Sequence, residues 1–139
     1  MNLPFAETIS YFKTSQSGVE SWMNKIETLI EKNGGVIRSR LVGRNGDNEA
    51  ILIAFSFKSD DFKLMYPVLP VKNPKDKTAA QRQCATLIYH DVKERVNRIK
   101  IFGARTVFMD FLVLPNGKTS AESQSLEIQE AIKGIKQLS

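Results

Sequence analysis

Cys84 and His90 are the one cysteine and the one histidine of this chain, so they form its sole possible thiol–imidazole pair for nucleophilic catalysis. On one helix, six residues apart, they sit about 120° apart around the axis and about 9 Å along it. A nucleophile and its base must approach to roughly 3 Å, so the spacing argues against that chemistry. Cys84 falls on an apolar stripe and reads as a small core residue, whereas His90 falls on the solvent side. Gly117-Lys118-Thr119 resembles the end of a phosphate-binding loop. The full pattern places a glycine five residues earlier, where Leu112 stands, and Pro115 removes an amide that would cradle phosphate. It reads as a turn. Asp47, Asp60 and Asp61 read as turn acids that cap backbone amides. Asp110 interrupts an apolar run and is expected to face outward or to pair with an arginine. None of these sets meets the geometric minimum for catalysis, so we expect no enzyme, no cofactor and no metal.

Binding chemistry has more to work with. Lys72 to Arg105 holds nine cations against three acids, a net +6, whereas the whole chain carries +5. On a 100° wheel Arg82, Tyr89, Lys93 and Lys100 share one outward face, with Thr86 and Asn97 beside them. Such a stripe could track a phosphate backbone while Tyr89 stacks on a base. Arg38 and Arg40, two apart on a strand, would extend the patch from one sheet face. Asp91 and Arg95 are spaced i, i+4 in the favourable acid-first order, close to the apolar stripe. They predict a partly buried ion pair whose arginine stem covers apolar neighbours.

The elements that position these residues follow from periodicity and turn chemistry. Residues 1–16 show no clear period and read as a loosely packed arm, with Phe5, Ile9, Tyr11 and Phe12 available to dock. Ser17-Gly-Val-Glu20 matches a capping box, and Val19, Trp22, Met23, Ile26, Leu29 and Ile30 give one apolar face up to Asn33-Gly34-Gly35. Three antiparallel strands are expected next. The first is Val36 to Val42 and the second, central, is Glu49 to Phe57, with an Asn45-Gly46 turn between them. The third is Phe62 to Val68, placed at an edge by its prolines. A long helix from about Lys77 to Phe102 carries the basic stripe and stops at Gly103. Thr106 to Leu114, rich in β-branched and aromatic residues, is expected to add a fourth strand, with a buried helical turn as the alternative. Ser120 to Leu138 is expected to be a final helix with early acids and late lysines.

This order predicts one α+β domain over residues 1–139: a two-layer fold with about four antiparallel strands packed against two to three helices. At 139 residues and 42% hydrophobic, the chain is long enough to bury its own core. The longest apolar runs, Ala50 to Phe55 and Phe111 to Leu114, fall far short of the roughly 20 residues a membrane span needs. The start lacks the features of a secretory signal, and one cysteine fits a reducing compartment, so a cytoplasmic protein without a membrane partner is expected.

Thr78 to Thr119, with Ala79-Ala80-Gln81, Ile88-Tyr89, Val92-Lys93 and then Phe111-Leu-Val-Leu-Pro-Asn-Gly-Lys-Thr119, resembles a family of small α+β proteins found in phage, plasmid and bacterial genomes, cyanobacteria included. That family has no established activity. The resemblance covers about a third of the chain and implies a mobile-element or host-accessory setting, with no catalytic residues to carry over. The expected function is a non-enzymatic binding or accessory module that meets nucleic acid through its basic helix. The alternative is a protein–protein module acting as a homodimer, through the second sheet face (Ala50, Leu52, Ala54) or the N-terminal arm.

Overall fold

A computed structural model describes residues 3–14, 17–45, 48–115, 117 and 119. Helix α1 (Val19–Lys32) leads into a three-stranded antiparallel meander of β1 (Val36–Asn45), β2 (Asn48–Phe57) and β3 (Asp60–Val68), with β2 central. Helix α2 (Lys77–Val96) follows, then two single-turn helices, α3 (Ile99–Phe102) and α4 (Ala104–Val107), and a 3-10 turn over Met109–Phe111. No helix among the described residues is long and apolar enough to cross a membrane.

The amphipathic pattern of α1 explains its position. Met23, Ile26 and Ile30 are buried against the sheet and α2, while the polar face stays wet. Gly18 stands at its N-cap, one residue after the expected Ser17. The C-terminus is a Schellman closure, in which Gly34 (φ +95°) donates to the Glu31 carbonyl and Gly35 to that of Ile30. Gly35 is required for a second reason. A Cβ there would lie 2.5 Å from Ile30 Cγ2 and 2.9 Å from Phe57 Cζ.

The pleat of β2 splits its side chains cleanly. Ile51, Ile53, Phe55 and Phe57 face the helices and join Phe62 and Leu64 of β3 with Cys84, Ile88 and Val92 of α2 in the main core. Phe55, Phe57, Phe62 and Phe108 form a four-ring cluster with centroids 5.1–6.2 Å apart, in stacked, tilted and edge-on pairs. On the opposite face Ala50 (0% exposed), Leu52 (3%) and Met65 (6%) form a smaller buried cluster flanked by Leu41 and Ala54.

Three sequence expectations change here. Thr106 to Leu114 does not add a strand. It forms the end of α4 and the 3-10 turn, and its backbone meets the sheet through an isolated bridge from Leu112 to Phe62 and a bond from the Val113 amide to the Asp61 carbonyl at 2.9 Å. Val107, Phe108 and Phe111 reach the core from these helical turns, so the same apolar residues are buried without a ladder. The long helix ends at Val96, not near Phe102, because the chain tightens into a turn at Asn97 and Arg98 before α3 begins. In the first hairpin Asn45 pairs with Asn48, so the connecting residues are 46 and 47, one position later than an Asn-Gly centre. The expected helix over Ser120 to Leu138 lies outside the described residues.

Residues 3–14 are held firmly. The Ala6 amide donates to the Pro70 carbonyl at 2.8 Å, and Glu7 accepts from the Lys72 amide at 2.8 Å. Gln83 of α2, fully buried, shares its amide protons among the carbonyls of Ala6, Ile9 and Ser10 at 2.9, 3.0 and 3.1 Å. Tyr11 (φ 71°) and Lys13 (φ 60°) sit in the left-handed region, which costs an L-residue about 1–2 kcal/mol. Tertiary contacts hold both: the Tyr11 ring stacks on His90, and Lys13 pairs with Asp76 at 3.0 Å.

Candidate nucleic-acid interface

Arg82 and Lys93 lie eleven residues apart on α2, which places them about 20° apart around the axis and about 16 Å along it. Both are exposed. The strip between them is less open than the wheel suggests. Thr86 is only 3% exposed, its hydroxyl donating to the Arg82 carbonyl at 2.7 Å. Tyr89 is half-buried because α1 crosses here, with Trp22 at a ring-centroid distance of 5.0 Å. His90 meets Tyr89 edge-on at 5.4 Å and stacks on Tyr11 at 4.7 Å. The arm, α1 and α2 thus meet in an aromatic seam. Lys25 sits 4.5 Å over the Trp22 ring and Lys93 5.9 Å over Tyr89, so the seam is rimmed by cations.

Arg38 and Arg40 do not share a face. A β-bulge between Ile37 and Ser39 shifts the register of β1 against β2. Arg40, opposite Ile53, therefore points to the helix side, where it pairs with Glu20 and, at 2.9 Å, with Glu27 of α1. Arg38 reaches the other face and donates Nε to the Ser56 hydroxyl at 3.0 Å, which in turn donates to Asp61 at 2.7 Å. Neither extends the α2 stripe as a free cation.

Lys100 lies in α3, beyond the break, so it is not on the Arg82–Lys93 helix; it remains exposed. The turn that follows depends on Gly103, whose φ 82°, ψ 155° belongs to a region only glycine occupies readily. Ile101 and Phe102, immediately before it, are 73% and 58% exposed. Phe102 is an exposed aromatic that wheel reasoning on one continuous helix did not single out. Its signal in the sequence is an apolar pair amid cations directly before a glycine.

The Asp91–Arg95 pair forms as expected, with Nε 2.8 Å from Asp91 Oδ1. The same guanidinium donates to both Asp110 oxygens, at 2.6 and 2.8 Å, and to the Val107 carbonyl at 3.0 Å. It lies 4.6 Å over the Phe111 ring. Asp91 also accepts from the Tyr66 hydroxyl at 2.5 Å. Burial and then the bond to Asp91 hold the Tyr66 phenol far above its usual range. Burial lowers Arg95, but the bonds to Asp110 and Asp91 more than offset it, so this guanidinium stays charged throughout. The network ties α2 to the α4 region and commits four of the five Arg95 N–H donors to internal partners.

The residues weighed for catalysis are dispersed. Cys84 is buried, its thiol directed at the Tyr66 and Pro67 carbonyls (3.7 and 3.6 Å), and burial pushes its pKa well up, so it is a protonated core residue. His90 is engaged in the seam. Asp60 pairs with Arg105 at 3.4 Å, and both Asp60 and Asp61 begin β3, where the connecting residues are Lys58 and Ser59. Gly117 accepts a bond from Lys63 through its carbonyl at 3.1 Å, while Lys118 and Asp47 lie outside the described residues. Among the described residues no group of three or more His, Cys, Asp or Glu side chains could hold a metal ion. Set against known proteins, the chain matches no family model, no curated protein and no solved structure.

Proposed function

We propose that this chain is a non-enzymatic binding module that holds nucleic acid by its phosphate backbone, with Arg82, Lys93 and Lys100 as the contacts. The observation that carries this reading is their lack of counter-charge. All three are exposed, and among the described residues none takes part in an ion pair. Arg40, Arg44 and Arg95 are by contrast neutralised by Glu20 and Glu27, by Glu49, and by Asp91 and Asp110. The seam of Trp22, Tyr89 and His90 lies beside Lys93 on the same strip. A cytoplasmic, mobile-element or host-accessory setting belongs to the same reading. A homodimer through the second sheet face is less favoured, because Ala50 and Leu52 are already buried within one chain.

Fluorescence anisotropy with short DNA and RNA strands at two salt concentrations tests the proposal. Three phosphate contacts predict a log–log salt slope of about −2 for a single strand, or roughly a 15-fold weakening between 50 and 200 mM salt. An Arg82→Glu/Lys93→Glu/Lys100→Glu variant that retains its melting temperature should lose this binding. Wild-type protein that fails to bind at low salt would overturn the reading.

A further inference from the structure

We infer that Phe102, supported by Ile101, is the base-stacking element of this surface, and that the partner is single-stranded nucleic acid. This rests on the nucleic-acid reading above and adds to it a contact residue and a strand state. Tyr89, the aromatic in the α2 stripe, already meets Trp22 at 5.0 Å and His90 at 5.4 Å and is half-buried, so little of its ring is open to a base. Phe102 is 58% exposed at the tip of α3, and Ile101 beside it is 73% exposed.

The tip has a defined shape. The Ile101 and Phe102 amides both donate to the Arg98 carbonyl, at 3.1 and 3.0 Å, and the Gly103 amide closes on Ile99 at 2.7 Å. At Gly103 a Cβ would meet nothing within 4 Å, so the glycine is there for its positive φ and not for space. Two large apolar side chains are thus raised on one closed turn.

Charge identifies the occupant. From Arg95 to Met109 the chain carries four cations and no acid. Arg95 is consumed internally, Arg98 reaches Glu94 only at 3.9 Å, Arg105 meets Asp60 at 3.4 Å, and Lys100 has no ion-pair partner among the described residues. A second copy docked about a two-fold axis would bring these cations together, which opposes self-association. An anionic polymer with exposed ring faces satisfies both the charge and the aromatic. Only Asn97 and Arg98 separate α3 from α2, so a strand following Arg82 and Lys93 would run on toward the tip. Bases of a duplex are stacked inside it, so Phe102 selects an unpaired strand.

The test is anisotropy of a labelled oligo(dT) strand and of a duplex of equal length, with wild-type, Phe102→Ala and Phe102→Trp proteins. Wild type should favour the single strand. Phe102→Ala should weaken that binding roughly tenfold while leaving the salt slope unchanged, because a stacked base and not a phosphate is lost. Phe102→Trp should keep the affinity. Being exposed, both substitutions should leave the melting temperature in place. Equal affinity of Phe102→Ala and wild type would overturn this inference while the phosphate-backbone reading stands. Duplex binding without oligo(dT) binding by wild type would overturn this inference alone, and binding of neither at low salt would overturn both. Two other results would also overturn the stacking role: co-sedimentation with phosphatidylserine vesicles in place of oligo(dT) binding, or a wild-type dimer that Ile101→Ala/Phe102→Ala dissolves.

Discussion

Arg95 grips the carboxylate of Asp110 through two parallel hydrogen bonds of 2.6 and 2.8 Å, while its Nε holds Asp91 one turn back on α2. That fork is the main polar tie between α2 and the chain beyond it. Arg95→Met should destabilise the fold by about 2–3 kcal/mol, because both carboxylates and the Val107 carbonyl lose a donor. The value falls below that of a fully buried pair because the Asp110 side chain is 44% exposed. Arg95→Lys should recover little, since an ammonium cannot reproduce the planar fork. Urea unfolding measures both, and a loss under 0.5 kcal/mol for Arg95→Met would show that the network is dispensable.

Gly35→Ala is expected to cost about 1–3 kcal/mol by overpacking, as the new methyl group would press on Ile30 and Phe57 from within contact distance. Gly34→Ala should cost about 1 kcal/mol for a different reason, its φ of +95°, with open space around it. Denaturant midpoints separate the two. Equal costs would mean that the crowding at Gly35 relaxes freely.

Alkaline pH should weaken the fold in two steps. Cys84 and Tyr66 hold their protons more tightly folded than unfolded, from ordinary values of 9.0 and 10.0. Above those values the unfolded chain has released protons that the folded chain retains, so unfolding becomes easier as pH rises. Both contributions are fully present below about pH 9, and each is then lost at up to about 1.4 kcal/mol per pH unit. Melting temperatures from pH 7 to 11 should be flat and then fall. A Cys84→Ala/Tyr66→Phe variant should start lower but fall less steeply. An unchanged alkaline slope in that variant would assign the effect to other groups.

What could be read from sequence was local. The period of α1, the alternation along β2, the Gly34-Gly35 stop and the i, i+4 ion pair each depend on neighbours a few residues apart. What could not be read depends on pairing or packing at a distance. The bulge that separates Arg38 from Arg40 exists only against the register of β2. The break after Val96 leaves no mark in a pattern that continues with apolar and basic residues to Phe102. Thr106 to Leu114 has strand composition, yet period alone cannot distinguish a buried strand from a buried turn, and the cluster of Phe55, Phe57 and Phe62 accepts Phe108 from a helical turn. A helical wheel favours Tyr89 over Phe102 because it assigns faces to one continuous helix and carries no information on α1 crossing over them.

The Gln83 amide bonds the carbonyls of Ala6, Ile9 and Ser10 across 77, 74 and 73 residues of chain. During synthesis residues 6–10 must therefore wait for α2 to be made before finding their place. The meander closes through short hairpins, whereas the N-terminal segment closes the longest loop among the contacts described here. Such non-local contacts are entropically expensive and tend to form late. Residues 3–14 then settle after the meander, and the left-handed Tyr11 and Lys13 set only once His90 of α2 and Asp76 before it are in place to hold them.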